Sequence, residues 1–299
     1  MIVITTPTGG IGSQLLNLLI TRAPDHAEQL RVVVRDPSKL PAHVLAAGVD
    51  IVPGSHGDAD VIDRAFAGAD AVFWLVPPDP RAGDLDAAYA GFTTPAAGAF
   101  GRHGVTHVVG VSALGRTTPV AGRAGLVTAS LAMDDLIAAS GPSYRALANP
   151  SFMDNVLRQT ETIRDDGVYV DTLAPGRAAP LVATRDIAVT AAGLLLDRSW
   201  SGFAEVPLLG PADVSAAEMV ATMTSVLGFP VRYQQQSLEE RARTLLSYGV
   251  GAAFVRGMVE MIEAKDAGLD DGIARTGATA TPTSFRQWCV DVLKPAVAR

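Results

Sequence analysis

A chain of 299 residues, 48% of them hydrophobic, can bury one large core or two modest ones. Charged residues make up 18% and the formal net charge is −7, which argues against a general nucleic-acid surface, because phosphate binding wants clustered lysine and arginine. With three lysines (Lys39, Lys265, Lys294) and a single cysteine, Cys289, neither a lysine patch, an internal disulfide nor a cysteine metal cluster can be assembled. No apolar run approaches the roughly 20 residues of a membrane span. The opening MIVITT reads as a strand and not as a secretory leader, so the cytoplasm is the expected location.

The first half alternates short β-branched runs with helical patterns. Ile2-Val3-Ile4 leads into an amphipathic stretch from Ile11 to about Arg22, Leu30–Val34 into Pro37–Ala47, and Asp50-Ile51-Val52 into Val61–Ala67. Ala71–Val76 precedes Ala87–His103, and His107–Val111 precedes Leu126–Ser140. Continuous apolar strands separated by helices predict a parallel sheet buried on both faces. Repeated βα units of this kind predict an α/β, Rossmann-type doubly wound fold. After about residue 141 the alternation loosens: Tyr144–Leu147 reads as a sixth strand, Ile187–Leu196 and Ala217–Leu227 as helices, and Leu238–Lys265 as a helical pair broken near Gly249–Gly251. The expected organisation is a dinucleotide-binding domain over 1–150. A smaller mixed α/β substrate lobe over 151–299 packs on it, and some of its elements can return to the main sheet.

Between the first strand and the first helix lies Thr6-Pro7-Thr8-Gly9-Gly10-Ile11-Gly12. Free amides and partial positive charge at a helix start suit a pyrophosphate. Glycines let backbone approach the phosphates, and the last lets the helix pack tightly on the strand. The same glycines would serve a plain tight turn, but their place after strand one and before an amphipathic helix is what dinucleotide binding requires. The second strand ends Val34-Arg35-Asp36-Pro37-Ser38-Lys39. Arg35 offers a planar fork for a 2′-phosphate and Lys39 a second cation, which favours NADP(H). Asp36 turned inward would bind ribose hydroxyls and favour NAD(H).

These segments resemble the NmrA-like family, an atypical branch of the short-chain dehydrogenase/reductase superfamily. Further stretches carry the likeness nearly end to end: Gly54-Ser55-His56-Gly57-Asp58, Asp70–Pro78, Val111–Gly115, Pro150–Asn155, Arg185–Ala188, Leu209-Gly210-Pro211 and Thr281–Trp288. The resemblance implies that Leu75, Val76, Pro77, Ser112 and Pro150 lie along the cofactor with Thr6, Thr8, Gly9, Gly10, Ile11 and Gly12. It also implies that Phe152, Met153 and Asn155 face the substrate. Three positions depart from the family pattern. Thr6 replaces the first turn glycine, Ser55 an acidic residue that often faces the adenine, and Leu147-Ala148-Asn149-Pro150 a stretch that commonly carries Arg-Pro.

The superfamily's usual acid is a tyrosine whose pKa is lowered by a lysine four residues on. None of Tyr89, Tyr144, Tyr169, Tyr233 and Tyr248 has such a lysine, and the expected helix reads Thr128–Asp135. Ordinary ketone reduction by that route is not expected. A quinone reduced by hydride gives a phenolate-like anion, of conjugate pKa near ~10, and needs little proton help. Ser112 is the one candidate for a catalytic contact, with a turn-capping serine as its plain alternative. Histidines 26, 43, 56, 103 and 107 form no metal-ligand spacing, so no metal is expected, and His56 reads as a solvated loop residue.

Two functions remain open on these residues. The first is an NADP(H)-dependent reductase of an aromatic or quinone-like small molecule. For it the resemblance implies a place in secondary-metabolite tailoring of aromatic polyketides, with coupling of two reduced aromatic units as a narrower form. The second is a sensor that binds the dinucleotide and a protein partner without turnover. A homo-oligomer is compatible with both.

Overall fold

A computed structural model of the chain describes residues 1–22 and 29–298. Seven strands form the main sheet: β1 (Ile2–Thr5), β2 (Leu30–Val34), β3 (Asp50–Pro53), β4 (Ala71–Trp74), β5 (His107–Ala113), β6 (Ser143–Asn149) and β7 (Phe203–Pro207). Their spatial order is β7-β6-β5-β4-β1-β2-β3. β1 pairs in parallel with both β2 and β4, β2 with β3, and β4 with β5. All residues of β1 and β4 are buried, and because successive side chains point to opposite faces, both faces of the sheet are covered. This is the Rossmann-type arrangement expected. Its order reverses between β1 and β4, which is where open α/β sheets bind ligands, outside the carboxyl ends of the strands.

The connecting helices follow the predicted periodicity: α1 (Gly10–Arg22), α2 (Ala42–Ala46), α3 (Ala59–Phe66), α4 (Phe92–His103), α5 (Leu126–Ala139) and α6 (Thr184–Leu196). α3 buries Val61, Ile62, Ala65 and Phe66 on one face, and Phe66 stacks on Phe100 of α4 with ring centroids 5.2 Å apart. The predicted segment 37–47 is not one helix. Pro37–Lys39 forms a 3₁₀ turn and α2 begins after Pro41, because a proline disfavours helical backbone in the residue before it.

The chain divides into two compact units, each built from several segments. The first comprises 1–113, 129–148 and 187–206, and the second comprises 114–128, 149–186 and 207–299. Residues 187–206 thus rejoin the first unit, and β7 adds the seventh strand. The second unit holds a three-stranded sheet of Ser151–Phe152, Ala178–Val182 and Asp213–Ser215, and a parallel pair, Val168–Asp171 with Arg232–Gln235. Its core gathers Met153, Tyr169, Leu181, Met219, Met223, Phe285 and Trp288. The helical pair read from the sequence is Leu238–Ser247 and Ala252–Asp266. The first of these starts on a capping box in which Ser237 and Glu240 satisfy each other's backbone amides. Among the described residues no helix is long and apolar enough to cross a membrane.

Candidate functional site

The glycine turn sits at the carboxyl end of β1. The amide of Gly9 donates to the carbonyl of Thr6 at 3.0 Å, and that of Ser13 to Gly9 at 2.9 Å. Helix geometry leaves the amides of Gly10, Ile11 and Gly12, at the start of α1, without an intrahelical acceptor. The space where a Cβ of Gly10 would stand is open, whereas a Cβ on Gly12 would lie 2.1 Å from the Thr6 carbonyl oxygen. One glycine therefore leaves room for a ligand and another lets the helix close on the turn. Thr6, in the place of the family's first glycine, has φ 51°, the one positive φ outside glycine among the described residues. Its hydroxyl oxygen is buried and meets no partner among the described residues. An open cradle, free amides and an unsatisfied hydroxyl fit the pyrophosphate of a dinucleotide.

At the end of β2, Arg35 is exposed and has no carboxylate partner among the described residues. Asp36 is turned to the backbone: its carboxylate accepts from the amide of Ser38 at 3.1 Å and from the Ser38 hydroxyl at 2.7 Å, capping the 3₁₀ turn. Those two hydrogen bonds hold its pKa below the ordinary aspartate value. Lys39, on the same turn, is exposed.

The end of β4 is held from two sides. Leu75 lies one residue beyond the β4 ladder. Its amide donates to the Thr5 hydroxyl at 3.0 Å, and its carbonyl accepts from His56 Nε2 at 2.9 Å. Val76 is buried and Pro77 exposed. His56 is not the solvated loop residue expected: it is 6% exposed. Its ring meets Trp74 and Phe92 edge-on, with centroids 5.1 and 4.8 Å away. Burial, helped by the nearby Arg35 charge and opposed by the Leu75 hydrogen bond and Asp58, lowers its pKa from 6.5 to about 4. Neutral imidazole has one N–H and one lone pair, so Nε2 carries the proton that reaches Leu75. Sequence reasoning missed this residue because a Gly-Ser-His-Gly-Asp turn looks polar and exposed; the one hint was the apolar run Val72–Val76 that it covers. His26 lies outside the described residues.

Ser112, on β5, is buried, and its hydroxyl donates to the carboxylate of Asp134 on α5. The same carboxylate accepts from the phenol of Tyr144 at 2.5 Å. Within the first unit these three form a polar cluster inside the core, where such groups must satisfy one another.

Of the other tyrosines, two are hydrogen-bonded, one is buried and one is exposed. Burial pushes Tyr89 up to about 12. Tyr169 donates to Asp171 and Tyr233 to the carbonyl of Leu173, and both phenols are raised, first by burial and then by the Asp171 charge. Tyr248 is 78% exposed.

In the second unit the expected substrate stretch follows Pro150, itself buried. Phe152 is half-buried, Asn155 is exposed, and Met153, 1% exposed, belongs to the core. Met153 also borders a groove of about 390 Å³ lined by Val214, Glu218, Thr222, Phe285 and Arg286. Asp154 accepts from the amide and hydroxyl of Thr184, and Asp186 from those of Thr283. Leu209 is bonded to Thr279 and Thr281. The later family landmarks are thus seams that join distant segments of this unit.

A reductase of Streptomyces griseus, (4-alkanoyl-5-oxo-2,5-dihydrofuran-3-yl)methyl phosphate reductase, is 29% identical to the chain over 97% of each protein. Quinone oxidoreductase 2 of Escherichia coli is 26% identical over 91% of this chain and 89% of that one. Among solved structures, the Citrobacter sp. triphenylmethane reductase in complex with NADP(H) superposes with a TM-score of 0.78 at 20% identity, over 96% of this chain and 98% of that one. A mutant of NmrA superposes at 0.69 and 14% identity, over 98% of this chain and 95% of that one, so the fold is the one the resemblance implied. Residues 7–197, which span the glycine turn, Arg35 and the β4 exit, match the NAD(P)H-binding family, and the chain belongs to it.

Proposed function

We propose that this chain is an NADP(H)-dependent reductase that delivers hydride to a conjugated aromatic or quinone-like small molecule. The amides of Gly10, Ile11 and Gly12, with Thr6, Thr8 and Gly9 around them, would hold the pyrophosphate. Arg35 and Lys39 would hold the 2′-phosphate, and Leu75, Val76, Pro77 and Ser112 would line the rest of the dinucleotide. Arg35 without a carboxylate partner among the described residues, beside an Asp36 spent on Ser38, supports NADP(H) over NAD(H).

The observation that carries the choice of acceptor is the state of the five tyrosines: four are tied up or raised, the fifth is in solvent, and none has a lysine four residues on. When bound, NADPH supplies a hydride and leaves as NADP⁺, so that a quinone becomes a hydroquinone monoanion, which then takes a proton from water. The anion is stable enough for that, since phenols ionise near ~10. The protein's part is to bind and orient the ring, a task we assign to Phe152 and Asn155, with Met153 packed into the core beside them in sequence. The Escherichia coli quinone oxidoreductase and the Citrobacter dye reductase support this acceptor class.

Steady-state kinetics on variants test the reading. Each Tyr→Phe variant is expected to keep turnover within about tenfold, where loss of a general acid costs roughly 10²–10⁴-fold. Phe152→Ala and Asn155→Ala are expected to lose more. A tyrosine variant down a hundredfold or more in turnover, at wild-type stability, would overturn the mechanism.

A further inference from the structure

The β4 exit lies at the point where the strand order reverses, and neither backbone group of Leu75 is left to the sheet. Thr5 takes the amide and His56 the carbonyl, at 3.0 and 2.9 Å. Thr5 is itself anchored, its hydroxyl donating to the carbonyl of Phe73 at 3.0 Å. His56 has little freedom to leave: Trp74 and Phe92 hold its ring edge-on. A Cβ on the next residue, Gly57, would lie 2.6 Å from the Phe92 ring, so the turn is pressed onto that aromatic side chain. A buried imidazole that spends its N–H on one carbonyl, at the mouth of the switch point, fixes the direction in which Val76 and Pro77 leave the sheet.

We infer that His56 is a positioning residue of the dinucleotide site, which with Thr5 clamps Leu75 and so sets the wall of the site at the β4 exit. The inference rests on the dinucleotide reading of this corner. The clamp acts on the path of the backbone and touches no 2′-phosphate, so its loss weakens NADPH and NADH alike. Arg35 instead sets the difference between them.

Calorimetric titration of the whole protein with NADPH and with NADH, beside thermal melts without cofactor, tests it. His56→Leu keeps bulk but has no donor, and both dissociation constants are expected to rise about tenfold, the scale of one lost hydrogen bond to a positioned group, with their ratio unchanged. His56→Gln carries an amide donor of similar reach and is expected to recover most of that loss at a melting temperature like that of His56→Leu. Thr5→Val removes the other half of the clamp and is expected to move both constants the same way, which covers the case of His56→Leu failing to fold. Wild-type affinity in both His56→Leu and Thr5→Val would overturn the inference, as would a His56→Gln no better than His56→Leu. A wild-type protein that binds neither cofactor would instead remove the dinucleotide reading, and the inference with it.

Discussion

The Cα of Gly12 lies directly against the carbonyl of Thr6, so close that a Cβ at residue 12 would stand 2.1 Å from that oxygen. Gly10, two residues earlier, has nothing within 4 Å of the same position. The two glycines therefore answer different questions. Gly12→Ala is expected to force helix and turn apart, abolishing cofactor binding and lowering the melting temperature. Gly10→Ala is expected to leave the apo protein's melting unchanged, or slightly raised by better helix propensity, while weakening the cofactor at least severalfold through the methyl group in the phosphate path. Titration and melting of both variants check this. A Gly10→Ala protein that binds NADPH as wild type does would show that the phosphates take another path.

Thr6 is a β-branched residue in left-handed backbone, a conformation that costs an L-residue roughly 1–2 kcal/mol, and its buried hydroxyl lacks a partner among the described residues. Thr6→Gly relieves both burdens at the cost of a more flexible unfolded chain. The net expectation is a gain of about 1 kcal/mol in apo stability, measured by urea unfolding. A loss of stability would mean that the side chain packs better than its strain costs.

Arg35→Ala is expected to weaken NADPH by roughly 1.5–3 kcal/mol, the scale of a charge-assisted hydrogen bond, and to leave NADH nearly unaffected. Asp36→Ala, whose carboxylate serves the Ser38 turn, is expected to leave the preference for NADPH in place. Calorimetry with both cofactors measures each. Equal affinity of the wild-type protein for the two would contradict the role of Arg35.

His56 makes stability depend on pH. Its pKa is about 4 in the fold and near ~6.5 in an unfolded chain. Below the unfolded value the unfolded state binds more protons, so stability is fully present above about 6.5 and falls as the pH drops toward 4. The full difference is on the order of 3 kcal/mol. Arg35, Asp58 and the Leu75 carbonyl are the charged or polar groups acting on the imidazole. The measurement is unfolding free energy against pH for wild type and His56→Gln. The two profiles are expected to diverge across that window and to run parallel above it; parallel profiles throughout would mean the histidine titrates normally.

What the sequence made legible was whatever periodicity and turn chemistry encode. The six leading strands of the main sheet, the broken helical pair around Gly249–Gly251 and the glycine turn all stand where alternation and breakers put them. β7 was not legible as a strand, because Phe203–Pro207 is short, broken by Glu205 and closed by Pro207, and lies beyond the regular βα alternation, on the long return of the chain. The role of His56 depends on burial by Trp74 and Phe92, residues 18 and 36 positions away, which no local pattern reports. Asp36 could have pointed either way from its sequence; it took Ser38 because a Pro-Ser turn offers it an amide and a hydroxyl two residues on. The likeness at Arg185–Ala188 and Thr281–Trp288 was visible, but its meaning as a structural seam through Asp186 and Thr283 was not.

The most direct test of the central claim is to mix the wild-type protein and NADPH with a panel of small quinones, and to follow NADPH absorbance together with hydroquinone formed. The account predicts catalytic consumption of NADPH with one hydroquinone per NADPH oxidised, faster than with NADH at the same concentration. Tight NADPH binding with no consumption above the uncatalysed rate, across quinones and aromatic dyes alike, would contradict it and leave a cofactor-sensing protein in its place.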